Sequence, residues 1–224
     1  MKLTGIGLAV AVIAGLAVGS PAVAADSPAA LQARKKAADS LVHARTAALG
    51  RATDAISASH SMGPDQAVVI SAFNNAASGL QQLDAKIQAD TTIAAVRADT
   101  AKIFSDYRVY ALVLPVGHMV RAVDVVDNLI APALNQAAGM FETAITTRGL
   151  TSLQPTLDDM KAQLATAAQA TSGLAARLEA LTPAQWNASH EVLSSPRSSL
   201  DAARDALRKA RQDGNTILAG LAHS

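Results

Sequence analysis

The stretch LDDMKAQLATAAQATSGLAARLEAL, residues 157–181, decides the fold because its apolar residues recur at steps of three and four. Such alternating steps place the residues on one stripe of a helix, as in the seam of a bundle or coiled coil. The same pattern begins again at Val69, at Ile93 and at Leu200. The sequence therefore predicts an all-α fold, an elongated antiparallel helical bundle with packing like that of a coiled coil.

Turn and capping signals divide this pattern into predicted helices over residues 27–58, 64–89, 92–147, 155–181, 183–193 and 197–221. The third of them contains Pro115 and Pro132. An interior proline removes a hydrogen bond and clashes with the preceding turn, so it kinks or breaks a helix. We predict two three-helix units, residues 25–114 and 115–224, joined at a proline kink near Pro115. A single elongated bundle is the alternative.

The first 24 residues have the pattern of a secretory signal peptide. Lys2 precedes an apolar run, and Ala22-Val23-Ala24 forms a small-residue cleavage motif. We expect cleavage between Ala24 and Ala25, and a protein that is secreted or associated with the cell envelope. No other stretch reads as a membrane span, so we expect no stable membrane insertion of the exported chain.

Composition and charge narrow the range of partners. The chain has 19 Lys and Arg against 18 Asp and Glu, and only Lys2 lies in the signal peptide, so the exported chain has 18 of each. Nucleic-acid binding usually requires a basic excess, so we expect no nucleic-acid partner. The absence of cysteine excludes disulfides, thiolate metal sites and a lipid anchor on cysteine.

The catalytic motifs we looked for are missing from the sequence. HEVLS, residues 190–194, begins like a zinc-protease helix but has Ser194 where the second histidine is required. We expect no enzymatic activity, no cofactor and no metal centre. The acidic pair Asp158 and Asp159 fits the first turn of a helix, where negative charge is favourable.

Two polar patterns have a structural and a functional interpretation. His118, Arg121, Asp124 and Asp127 recur every third residue, which suggests either a metal or anion site or a solvated polar stripe with ion pairs. The arginines and lysine of residues 197–211 suggest a weak patch for an anionic polymer, but acidic residues lie among them. We favour the solvated interpretation of both.

The stretch DYRVYALVLP, residues 106–115, contains both tyrosines of the chain. Tyr107 and Tyr110 continue the apolar pattern from Ile93, which predicts partly buried rings at the joint. One hypothesis is a hinge filled by tyrosine rings. The other is a small polar pocket that contacts a ligand or partner, because pockets favour domain junctions. Its candidate residues are Asp106, Tyr107, Arg108, Tyr110 and His118.

Three segments resemble secreted all-helical proteins of actinobacteria whose function is unknown. They are FSDYRVYALVLPVGHMVRAVD, LDAKIQADT and LTPAQWNASHEVLSSPRSSLDAARDALRKAR. The DYRVY and TPAQWN portions are the most specific. The resemblance implies an exported helical protein and no activity. Val116 differs from the family pattern, in which a polar or basic residue is expected.

The sequence thus predicts an exported, non-enzymatic helical bundle that contacts a protein or an envelope polymer. Helical seams also self-associate, so a homodimer is among the expected assemblies. The alternative is a bundle that binds a small molecule or metal at the Tyr107, Tyr110 and His118 joint. A membrane-active bundle is a third hypothesis, which would need a strongly apolar surface helix.

Overall fold

The computed structural model describes residues 27–223, and no strand occurs among them. The prediction of an all-α fold is confirmed. The nine α-helices of the described part are α1 (Pro28–Ser57), α2 (Asp65–Ala89), α3 (Ile93–Ser105), α4 (Leu114–Val125), α5 (Ala131–Arg148), α6 (Gln154–Thr171), α7 (Leu174–Glu179), α8 (Pro183–Ala188) and α9 (Ser194–Ala222). The predicted signal peptide and its cleavage site at Ala24 and Ala25 lie outside the described residues.

Side-chain caps fix the ends of several helices. Ser27 accepts a hydrogen bond from the Ala30 N–H at the start of α1, and Thr92 accepts one from the Ala95 N–H at the start of α3. Thr182 and Gln185 form the predicted capping box of α8. These bonds satisfy backbone donors that have no partner inside the helix.

The predicted helix over residues 92–147 is three α-helices rather than one. The chain leaves helical geometry at residues 106–108, where Arg108 adopts a left-handed conformation with φ 43° and ψ 39°. A π-helical turn, Val109–Val113, leads into α4, and a second one, Val126–Ile130, leads into α5. The apolar period predicted the helical content of this segment, but it did not predict the interruption before Val109.

Each π-helical turn lies directly before a proline. The Leu114 N–H donates to the Val109 carbonyl and the Ala131 N–H to the Val126 carbonyl, five residues back, and Pro115 and Pro132 follow. The π-helical turn therefore ends just before each proline, and a new α-helix begins there. Each proline lies in the first turn of that helix, where its missing N–H costs no helical hydrogen bond. The kink near Pro115 stays a prediction.

The region Ile93–Arg148 is long and apolar enough to cross a membrane by length and composition, although the sequence analysis expected no such stretch. Its most apolar window has a mean hydropathy of 1.6, and 44% of that window is buried inside the protein. The core helix of a soluble protein passes the same test. The expectation that the exported chain does not insert into a membrane stays a prediction.

The predicted helix over residues 155–181 is also divided. Helix α6 ends at Thr171, Gly173 takes φ 62°, and α7 begins at Leu174. Glycine adopts this left-handed conformation without the penalty of a Cβ atom. The predicted helix over residues 183–193 is α8 followed by a 3-10 turn, His190–Leu193.

The buried apolar side chains form two clusters. The first combines α1 to α4 with Leu174 and Leu178 of α7 and with Leu193 and Leu200. The second combines α5, α6 and α9. Along the segment Ile93–Arg148, called the central segment below, the clusters divide between Val123 and Val126. The first cluster therefore extends beyond Pro115. Two units joined at Pro115 stay a prediction.

Helices α2 and α4 approach closely at Gly117, and we predict that Gly117→Ala destabilises the fold. A Cβ atom there would lie 2.8 Å from Cε1 of Phe73 and 3.0 Å from Cγ1 of Val69. Crowding of this kind in a well-packed core costs about 1–3 kcal/mol. Urea unfolding followed by circular dichroism measures the change in the free energy of unfolding.

Gly139→Ala in α5 is the matched control, since no atom lies within 4 Å of the added Cβ. We expect it to stabilise the protein by about 0.5–1 kcal/mol, the usual difference between alanine and glycine inside a helix. Equal effects of the two substitutions would contradict the close approach at Gly117.

Candidate functional site: a cationic groove between α4 and α9

The two tyrosines of DYRVYALVLP have different environments. Tyr107 is half-buried and its ring lies directly on Gly79 of α2, where an added Cβ would be 2.6 Å from Cε1 of the ring. Burial raises the pKa of Tyr107, and nearby Asp106 adds to this effect. Tyr110 is 52% exposed, so Tyr107 lies closer to the predicted buried stripe than Tyr110 does. The break at residues 106–108 resets the helical phase, and Val109 and Leu112 take the buried positions instead.

Tyr110 forms part of a cover over Arg45 of α1. Its hydroxyl donates to the Ala44 carbonyl at 3.1 Å. The Arg45 guanidinium lies 5.3 Å from the Tyr110 ring centre and 4.6 Å from that of Phe104. Arg45 also donates to the Leu41 carbonyl at 2.9 Å, and burial lowers the pKa of its guanidinium. These contacts tie the start of the central segment to α1.

Arg108 of DYRVY is hydrogen-bonded to Asn187 of TPAQWN. Its Nε donates to Oδ1 of Asn187 at 2.7 Å, and Nδ2 of Asn187 donates to the Ser105 carbonyl at 2.9 Å. DYRVY and TPAQWN are therefore in direct contact although 79 residues separate Arg108 from Asn187. Asp106 is exposed and accepts a hydrogen bond from the Ser105 hydroxyl at 2.6 Å.

His118 lies on a different surface from Arg108 and Tyr110. It faces an open groove whose walls are α4 with the following π-helical turn on one side and α9 on the other. Arg108 and Tyr110 instead line a small cleft of about 90 Å³ beside Arg45. The structure thus divides the predicted pocket residues between two surfaces.

The groove consists of two lobes of about 420 Å³ and 400 Å³ that share His118, Ala122 and Arg204. Arg121 adds a second cation to the first lobe, and Arg197 adds one to the second. The rest of the first lobe is apolar, with Val125, Val126, Ile130 and Leu207. The second lobe has an apolar floor of Pro115, Met119 and Leu200.

Positive charge dominates the rim of this groove. Three guanidinium groups line it, and the acid that lines it with them is Asp201, 3.4 Å from Arg204. Both side chains of that pair are well exposed, where such a pair contributes little to stability. Arginine donors over an apolar floor match a partner that combines an anionic group with an apolar body.

Helical geometry explains why the sequence pattern did not reveal the groove. Residues three apart differ in direction by about 60° around a helix of 3.6 residues per turn. The four residues from His118 to Asp127 therefore span about half of the circumference of the helix. His118 and Arg121 face the groove, whereas Asp124 is 5% exposed on the side towards α2. The interpretation of all four as one solvated stripe is wrong for Asp124.

Asp124 belongs to a cluster of carboxyl groups at the division between the two apolar cores. Its Oδ2 is buried and has no hydrogen-bond partner. Burial first, and then the carboxylates of Asp65, Asp127 and Glu179, raise its pKa to about 6. Asp127 accepts a hydrogen bond from the buried Thr171 hydroxyl at 2.6 Å.

Within residues 27–223, no group of three or more histidine and acidic side chains has a geometry that could hold a metal ion.

No protein-family model, no curated protein and no solved structure matches this chain. The interpretation of the groove therefore depends on its own geometry and charge.

We predict that the free energy of unfolding falls as the pH rises from about 4 to 7. The Asp124 carboxyl holds its proton up to about pH 6 in the folded protein and loses it near its ordinary value of 3.8 when unfolded. Its protonation therefore contributes fully to the free energy of unfolding below pH 3.8, and this contribution is lost as the pH rises past 6. The loss is at most about 3 kcal/mol. Urea unfolding across this range measures it.

Asp124→Asn is the control, because the amide stays neutral and can donate to the neighbouring Asp65. We expect this variant to have a flatter pH profile and a higher free energy of unfolding at pH 7. Asp99 acts in the opposite direction, since the hydrogen bond from Lys102 lowers its pKa, and its contribution is lost only below pH 3.8. An unchanged profile in the Asp124→Asn variant would contradict the assignment.

We also predict that Arg108→Gly is more stable than Arg108→Ala, by about 1 kcal/mol. Both variants lose the bond to Asn187, but glycine adopts the positive φ without a steric penalty. Thermal and urea unfolding measure the difference. In a double-mutant cycle, Asn187→Ala should cost less in the Arg108→Gly background than in the original protein, because only its hydrogen bond to the Ser105 carbonyl is then left to lose. Additive losses would contradict that pairing.

Proposed function

We propose that this chain is an exported, non-enzymatic binding protein of the cell envelope or the medium, with the groove between α4 and α9 as its contact surface. The observation that carries the proposal is the convergence of Arg121, Arg197 and Arg204 over an apolar floor.

The chemistry of the groove supports binding rather than turnover. Guanidinium groups stay protonated at all physiological pH values, so they hold anions and do not exchange protons with a substrate. His118 adds a polar ring to the two lobes that share it. Both walls are helices, which hold their side chains more firmly than loops do.

The groove has more room for a ligand than the cleft beside Tyr110 and Arg108, where the sequence analysis placed the candidate pocket. The cleft beside Arg45 measures about 90 Å³, and a drug-sized ligand requires about 300–1,000 Å³. Each lobe of the groove lies within that range. The contacts of Tyr107, Arg108 and Tyr110 favour a structural role for these three residues.

The export part of the proposal predicts a defined mature N-terminus. When the full chain is expressed in an actinobacterial host, we expect the protein in the medium or envelope fraction to begin at Ala25. Intact-mass analysis of that fraction measures it. Retention of an intact Met1 chain inside the cell would contradict export.

The binding part of the proposal is tested by site-specific photo-crosslinking. A photoreactive residue replaces Asp201 in the groove, which leaves all three arginines in place, and a matched variant carries it at Asp205, which is paired with Arg208 at 3.0 Å and does not line the groove. We expect a discrete adduct in the envelope or medium from position 201 and none from position 205. Equal labelling, or labelling at neither position, would contradict the groove as the contact surface.

A further inference from the structure

We propose that the groove binds a soluble anionic amphiphile, a single acyl chain that ends in a carboxylate. This inference rests on the proposed function, because it names the ligand class of the same surface.

The shape of the groove fits an extended chain. Its lining on the α4 side runs from Pro115 to Ile130, which is about 22 Å at the helical rise of 1.5 Å per residue. The two lobes are continuous through His118, Ala122 and Arg204. An elongated, open site of this kind suits a linear ligand better than a compact one.

Cations line most of the groove and leave an aliphatic tail end at Ile130. Arg204 and His118 line both lobes, Arg197 lines the lobe nearest Pro115, and Arg121 lines the other lobe. Beyond Arg121, the lining towards Ile130 is aliphatic. A carboxylate can form two parallel hydrogen bonds with one guanidinium, so the head group is placed near Arg204.

The tail end continues onto exposed apolar surface. Ile130 is 38% exposed, and Leu129, next to it in the same π-helical turn, is 58% exposed. Both side chains are costly to leave in water, and an acyl tail that lies over the valine and isoleucine side chains removes part of this apolar area from water.

A concave site favours an amphiphile in solution over a membrane surface. Peripheral membrane binding uses an apolar face that lies in the interface with cations around it. Here Val126 and Leu207 are buried at the floor, while the arginines stand on the rim. Binding to vesicles is therefore a distinct outcome of the test.

The test uses the chain that begins at Ala25 and a series of straight-chain alkyl carboxylates kept below their micelle concentrations. Isothermal titration calorimetry measures the dissociation constant at constant ionic strength. We expect affinity to rise about fourfold with each added methylene until the groove is filled. The alcohol of the same chain length should bind at least tenfold more weakly, because it lacks the charge.

Matched variants assign the binding to the groove. We expect Arg204→Gln to weaken carboxylate binding by about tenfold, Arg121→Gln to weaken it less, and Arg208→Gln to leave it unchanged. Ala122→Phe places a ring where the two lobes meet and should abolish binding of the long chains. Circular dichroism and the melting temperature of each variant establish that it folds.

Three results would overturn the inference. They are affinity that does not depend on chain length, equal affinity for the carboxylate and the alcohol, and Arg208→Gln weakening binding as much as Arg204→Gln. Binding to phosphatidylglycerol vesicles without binding to monomeric carboxylates would assign the surface to a membrane. A crosslink at position 201 without carboxylate binding would refute this inference and leave the proposed function standing. Carboxylate binding without a crosslink would refute the proposed contact in the envelope or medium, and with it the inference that rests on that contact.

Discussion

The fold depends on the apolar segment Ile93–Arg148, which contains two prolines and contributes side chains to both apolar cores. Pro115 and Pro132 each follow a π-helical turn, so helix α4 between them keeps its hydrogen bonds while its ends change phase. One side of α4 packs on α2, where Gly117 lets Phe73 approach the backbone. The opposite side is left to line the groove with α9. Helix α4 is short and has a π-helical turn at each end. One of its sides packs into a core, and the other side exposes polar groups to solvent.

The buried carboxyl of Asp124 lies where the two apolar clusters divide, between Val123 and Val126. A charge there, without a cation near it, is unfavourable, and the carboxyl responds by keeping its proton to a higher pH. Thr171, which is buried, holds the neighbouring Asp127 in place. The junction of the cores is therefore polar and sensitive to pH, whereas each core is apolar.

The sequence predicted what depends on local pattern. Periodic apolar residues and capping signals gave α1, α2 and the long α9 to within a few residues, because a helix and its caps depend on near neighbours. At the break, Arg108 contacts Asn187, which is far away in the sequence, and the apolar period runs through residues 106–108 without a sign of that contact. The groove escaped prediction for a similar reason. His118 and Arg121 looked like a solvated stripe, and the arginines of α9 were discounted because acids lie among them. Only the packing of α9 beside α4 turns these two weak signals into one cationic surface.

The contact between Arg108 and Asn187 lies just before the helical segment that carries one wall of the groove. Arg108 starts the first π-helical turn, since its carbonyl accepts from the N–H groups of Leu112 and Val113 at 2.8 Å and 3.2 Å. The conformation of Arg108 is unfavourable for a residue with a Cβ, and Asn187 holds its side chain. Each residue of an α-helix turns the next by about 100°, so the residue at which the helix resumes sets the direction of every side chain after it. A shift of one position would rotate His118 out of the groove. The residue at which the helix resumes after Arg108 therefore sets the direction of His118, which lies ten residues, about three helical turns, further along the chain.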